Sequence, residues 1–167
     1  NSGTMPEKQF IETIGKLASK DKKKSGILAS VTTAQAILES GYGTSSLAME
    51  AHNLFGMKAT LSGNTWKSSW DGKTFKKSTK EYLNNKWYTI TDTFRSYSSY
   101  AQSLADHSAY LSYAKNGNKL RYQGVVGNKS YRKTIKIIKN GGYATDPQYV
   151  SKICSIIKRY NLTRFDK

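Results

Sequence analysis

The sequence predicts an α+β fold, a predominantly helical body carrying one small antiparallel insertion. Three observations predict it. Apolar residues recur at helical spacing on both sides of about residues 64–96. Between those limits the texture turns to Thr and aromatic residues alternating with polar ones. Two turn dipeptides, Asp71-Gly72 and Asn84-Asn85, punctuate that stretch. At 167 residues the chain is long enough to bury a core of its own, so residues 1–167 read as one domain. Residues 1–5 read as a linker or cloning remnant.

Each element has its own signal. Phe10, Ile11, Ile14, Leu17 and Ala18 share one helical face, with Pro6 at a first-turn position. The run SKDKKKSG at 19–26 breaks that pattern and reads as solvated. Ile27, Leu28, Val31, Ala34 and Leu38 mark a second helix that stops at Gly41 and Gly43. TSSLAMEAHN, at 44–53, reads as a short helix opened by a hydroxyl cap. NTWKSSW, KTFKKSTKEYL and KWYTITDTFRSY read as strands of hairpins, with Trp66, Trp70, Trp87 and Tyr88 assigned to core packing. Residues 98–114 are helical with serine capping, and 130–142 form a helix ending at glycines. Asp146 as N-cap and Pro147 at the first helical position open the last helix.

Charge narrows the partners. There are 27 Lys and Arg against 11 Asp and Glu, a net charge of +16. Such an excess attracts polyanions, whether nucleic acid, anionic membrane surfaces or acidic wall polymers. No run of about 18 apolar residues exists, so nothing reads as membrane-spanning. No signal peptide is visible at the start. The lone Cys154 allows no internal disulfide and sits among helix-spaced apolar residues as a small hydrophobe. His52 and His107 lack metal-type spacing with it, and no GxSxG, P-loop or GxGxxG context occurs.

The carboxylates carry the chemistry. Leu28, Thr32, Gln35 and Glu39 lie along one line of a helix, so Glu39 borders the apolar face in the last turn. Partial burial and the negative end of the helix dipole both disfavour its anion, the dipole by about 0.3–1 kcal/mol. A carboxylic acid kept protonated near neutral pH suits a general acid. Spacing alone favours a solvated helix-end carboxylate, since most such groups are surface residues. Glu81, in STKEYL, lies on or beside a strand and offers a partner across a cleft, or a surface ion pair among lysines. Asp71 reads as turn chemistry, Asp92 as strand decoration, and Asp106 as a residue on a helix surface.

Taken together and in order, several blocks resemble the family 73 glycoside hydrolases, the N-acetylglucosaminidases of bacterial autolysins and flagellar muralytic domains. They are AQAILESGYGTSSLAMEAHNLFGMKA, STKEY, FRSYSSYAQSLADHSAYL, RYQGVV and GGYATDPQYVSKICSIIKRYNL, all between residues 34 and 162, and the resemblance covers most of the chain from about residue 9 to 162. The resemblance implies a lysozyme-like fold, a helical lobe and a small β-hairpin lobe with a cleft between them. It implies Glu39 as general acid, Glu81 as the β-lobe carboxylate, and Tyr143 as a tyrosine near the acid. It places Asn53, Phe55 and Gly56 at the glycan and Tyr122 at the cleft. The implied substrate is peptidoglycan, cut after N-acetylglucosamine, with cleavage after N-acetylmuramic acid by a muramidase or lytic transglycosylase as the alternative. A secreted, wall-associated monomer is expected, binding anionic wall polymers but no specific nucleic acid and needing no cofactor.

Overall fold

Helix α2 (Ala29–Ser40) runs through the centre of the helical body, with ten of its residues buried. The computed structural model describes residues 5–61, 66 and 68–167, with the side chains of Thr79 and Glu81 left aside. Around α2 pack α1 (Glu7–Ser25), α5 (Tyr131–Asn140), α6 (Tyr149–Arg159) and a closing 3-10 turn, Leu162–Asp166. Helix α3 (Ser46–Ala51) follows α2, and α4 (Tyr100–Tyr113) lies against α1. Phe10, Ile14, Ile27, Val31, Leu54, Leu104, Ile135 and Ile153 form one continuous core. Serine caps open three helices: Ser45, Ser99 and Ser130 accept from the backbone N–H three residues on. No helix among the described residues is long and apolar enough to cross a membrane.

The first helix is longer than its apolar pattern predicts. Residues 19–25 remain helical, and the chain turns only at left-handed Gly26, whose N–H bonds Lys22 O at 2.8 Å. Polar contacts hold this last stretch. Asp21 Oδ2 accepts from Ser108 Oγ at 2.6 Å, and Lys22 Nζ donates to Asp166 O at 2.6 Å. Lys22, Lys23 and Lys24 also suit the helix's negative end.

The β-lobe is one hairpin. Strands β1 (Thr74–Leu83) and β2 (Lys86–Arg95) pair antiparallel from Thr74↔Arg95 to Leu83↔Lys86. Asn84 and Asn85 close it with φ of 52° and 63°, the left-handed pair a two-residue turn requires. Asp71-Gly72 joins no strands: Asp71 Oδ1 accepts from Lys73 N, a local turn bond. So the sheet occupies 74–95, and part of the stretch from 64 lies outside the described residues. A second, two-residue hairpin, β3 (Lys115–Asn116) with β4 (Lys119–Leu120), was not foreseen.

Two expectations about side chains fail here. Trp87 and Tyr88, expected in the core, are 68 % and 44 % exposed, because the hairpin's far end projects beyond the body. Asp106, expected on a helix surface, is fully buried. Arg95, itself 1 % exposed, donates to its carboxylate at 2.9 and 3.2 Å. Tyr97 and Ser68 hydroxyls donate to it as well, and Trp66 Nε1 adds a long bond of 3.4 Å. Trp66 and Trp70 flank the Arg95 guanidinium, 5.6 and 4.3 Å from its centre. This buried pair roots the hairpin in α4.

Candidate active site

Glu39 comes to its place through the end of α2. Left-handed Gly41 caps the helix, its N–H donating to Ile37 O. Ser40 Oγ donates to Ala36 O and accepts from Gly43 N, locking the following loop. Gly43 has φ of 79°, and a Cβ there would sit 2.6 Å from the Phe10 ring, so no other residue fits. The Glu39 carboxyl lies on the wall of a cavity of about 530 Å³, solvent on one side and protein on the other.

Behind it runs a chain of hydrogen bonds. Gln35 Nε2 donates to Tyr149 Oη at 3.0 Å, and Tyr149 Oη donates to Glu39 Oε2 at 2.9 Å. Burial raises the Glu39 pKa above the usual carboxylate value, and the Tyr149 bond partly opposes it. Tyr149 itself is pushed up by burial and by the Glu39 charge, so it stays a neutral donor. By its spacing in the sequence Tyr149 fits the core face of the last helix. It is buried, yet its hydroxyl is the group that orients Glu39. Gln35 and Glu39 are one turn apart on the same line, so one hydroxyl bridges both.

Aromatic side chains line much of the cavity. Tyr143 lines the cavity, and burial followed by the Tyr149 and Glu39 charges pushes its pKa well up. Its hydroxyl lies 2.8 Å from His107 Nε2. Phe55 and Gly56 line the same cavity; Gly56 has φ of 68° and open space beside it. Asn53 is 1 % exposed, and its side chain holds main chain: Nδ2 donates to Met57 O and Arg95 O, and Oδ1 accepts from Met57 N. Its contribution is the shape of loop 53–57. Tyr122, expected at the cleft, is 1 % exposed and sits behind Tyr110, hydroxyl to hydroxyl at 3.1 Å. Tyr110, unmarked by any motif in the sequence, reaches the cavity instead.

Glu81 lies on β1, its Cα opposite that of Tyr88. Its carboxylate falls outside the described residues. Asp146, expected as an N-cap, accepts from Gln148 N at 2.8 Å in the turn before α6, which begins at Tyr149. It also pairs with Lys152 at 2.6 Å on the cavity rim, and that bond holds its pKa below the usual carboxylate value. Among the described residues no group of three or more His, Cys, Asp and Glu could hold a metal ion.

Replacing Tyr149 with Phe has a signed consequence. A general acid works protonated, so activity falls as pH rises through its pKa. With Glu39 as that acid, the role the family resemblance implies, Tyr149→Phe removes the bond that favours the anion, and the alkaline limb of kcat/KM is expected to move to higher pH. Gln35 loses its partner as well, costing about 1–3 kcal/mol of stability. A pH–rate profile and a thermal melt check both; an unmoved or lowered limb would refute the electrostatic role.

Fold and site define the class: a lysozyme-like α+β glycoside hydrolase, with a helical body, a hairpin lobe and an aromatic cavity bearing a raised-pKa carboxyl. Residues 15–162 match the glucosaminidase family, described as mannosyl-glycoprotein endo-beta-N-acetylglucosaminidase, and the chain belongs to that family. It is 35 % identical over 158 residues to the exo-glucosaminidase LytG of Bacillus subtilis (strain 168), covering 95 % of this chain and 53 % of LytG. Identity is also 35 % over 156 residues with the peptidoglycan hydrolase FlgJ of Pseudomonas aeruginosa, covering 90 % of this chain and 36 % of FlgJ. The catalytic domain of the autolysin Auto from Listeria monocytogenes superposes with a TM-score of 0.80 at 34 % identity, covering 98 % of this chain and 90 % of that one. The chain thus spans about half of LytG and a third of FlgJ.

Proposed function

We propose that this chain hydrolyses the β-1,4 bond between N-acetylglucosamine and N-acetylmuramic acid in peptidoglycan, as an endo-beta-N-acetylglucosaminidase. The observation that carries the reading is Glu39, a carboxyl of raised pKa held by Tyr149 on the wall of an aromatic-lined cavity. Glu39 protonates the departing glycosidic oxygen. The names support peptidoglycan hydrolysis and divide on the bond: the family description specifies an endo-glucosaminidase, LytG is an exo-glucosaminidase, FlgJ is a peptidoglycan hydrolase and Auto an autolysin, while a Lactococcus lactis relative 37 % identical over 167 residues is named a probable N-acetylmuramidase.

Glu81 is the second catalytic group in this reading. Action as base on a water gives inversion and calls for a separation of about 6.5–9.5 Å or more between the two carboxyl groups. Attack by the sugar's own acetamido group instead retains configuration and makes Glu81 auxiliary. Tyr143 holds that acetamido group or the developing positive charge, and Phe55, Gly56 and Tyr110 line the sugar's path. The place of action is the cell wall, outside the membrane. The +16 charge draws the chain to anionic wall polymers, an attraction that weakens as salt rises.

One digestion tests the bond. Purified peptidoglycan is cut, the new ends are reduced with borohydride, and the muropeptides are read by mass spectrometry. Reduced N-acetylglucosamine is expected. Reduced N-acetylmuramic acid would make the enzyme a muramidase, and anhydro ends a lytic transglycosylase. The anomer of the fresh end, read by proton NMR before mutarotation, decides between a Glu81-activated water and the acetamido group.

A further inference from the structure

His107 belongs to no step described so far, yet it is fully buried in α4 directly behind the cavity. Its ring stacks on Phe55 at 3.7 Å and 9°, and meets Tyr143 edge-on at 5.7 Å. Nε2 lies 2.8 Å from Tyr143 Oη, while Nδ1 is buried with no hydrogen-bond partner among the described residues. Burial drives the imidazole pKa down to about 3, against a smaller opposing pull from Asp106, so the ring is neutral in any working range.

A neutral imidazole carries one proton. On Nδ1 it would be a buried N–H with nothing to accept it. Buried N–H groups without a partner are rarer than under-satisfied acceptors. On Nε2 the proton is donated to Tyr143. A phenol proton lies close to its ring plane and has two settings. The Nε2–H closes the one toward His107, and the other is the one left to Tyr143 on the cavity wall that it shares with Glu39.

We propose that His107 is a positioning residue: its Nε2–H donates to the Tyr143 oxygen and turns the phenol proton into the cavity, toward the sugar that Glu39 protonates. Phe55 fixes the imidazole plane by stacking, so a cavity residue on loop 53–57 and one after α5 share a single buried ring. The proposal rests on the reading of Tyr143 as a substrate contact.

His107→Phe keeps the stack and loses the donor; His107→Gln restores an N–H near the Nε2 position. His107→Phe is expected to lower kcat roughly tenfold, about the worth of one hydrogen bond, with KM within about twofold. His107→Gln regains most of that loss. In a Tyr143→Phe background, His107→Phe costs less than about twofold more, since the group it orients is gone. Long-range proton–nitrogen NMR of the parent protein shows the Nε2–H tautomer. Parent-level kcat in His107→Phe beside a slow Tyr143→Phe overturns the proposal. A full tenfold loss added on top of Tyr143→Phe does so too, as does an Nδ1–H tautomer, which needs no variant to fold. Parent-level kcat in Tyr143→Phe alone overturns the reading of Tyr143 and the proposal with it.

Discussion

Glu39→Gln is expected to slow peptidoglycan cleavage by about 10²- to 10⁴-fold, the usual share of a positioned general acid. Glutamine has the size of glutamate, and its Oε1 still accepts from Tyr149, as Glu39 Oε2 does at 2.9 Å. The Gly41 cap and the Ser40 bonds that shape the helix end do not involve the carboxylate. Stability should therefore hold, with Tm within about 2 °C. Only the proton is missing. Clearing of a suspension of purified walls reports the rate, and co-sedimentation with the walls reports binding, which should persist. A variant that clears walls at the parent's rate would remove Glu39 from the mechanism. The effect also separates Glu39 from Tyr149: losing the proposed acid slows the step without shifting its pH limb, whereas Tyr149→Phe moves the pH dependence.

The helices and the hairpin turn were legible because each is decided locally. Period 3.6 in the apolar residues placed α1 and α2, serine capping marked α4, glycines marked the end of α5, and Asn84-Asn85 gave the turn its left-handed pair. The acid was legible only in part. Its position at the helix end is a local fact, and the ordered family blocks raised it above a surface glutamate. What orients it was not legible, since Tyr149 lies 110 residues away and looks like any apolar-face tyrosine. The tail of α1 was misread for the same reason. Asp21 is held by Ser108, 87 residues on, so the helix continues without apolar spacing.

Asp106 is the sharpest case. A lone aspartate between Ala105 and His107 carries no sign of burial, because its partners come from Arg95, Tyr97 and the segment around Trp66 and Ser68. Family resemblance placed neighbouring site residues but gave no role to this one. The same helix that roots the hairpin through Asp106 reaches the cavity through Tyr110 and backs it through His107, which meets Tyr143. One turn of α4 thus couples the seat of the β-lobe to the wall of the site.

That coupling gives the second large effect. Asp106→Asn is expected to lower Tm by roughly 6–20 °C, from about 3–5 kcal/mol lost when one partner of a buried ion pair is removed. The side chain keeps its size, so packing is not the cause. The Arg95 guanidinium remains charged and 1 % exposed, with no anion against it. The amide also presents two N–H donors where Asp106 accepts from Arg95, Tyr97, Ser68 and Trp66, so at least one buried donor loses its acceptor. Calorimetry measures the loss. The double variant Arg95→Met with Asp106→Leu separates the causes, because it removes the stranded charge and restores apolar contact. It should melt above Asp106→Asn even though Tyr97 is left without its acceptor. A double variant that melts lower, or an Asp106→Asn protein within about 2 °C of the parent, would show that the pair is not what holds the hairpin's root. Activity should suffer at temperatures where the variant is still folded. Arg95 O accepts from Asn53 Nδ2, and Asn53 sets loop 53–57, so loosening the ion pair loosens the edge that places Phe55 and Gly56 at the cavity.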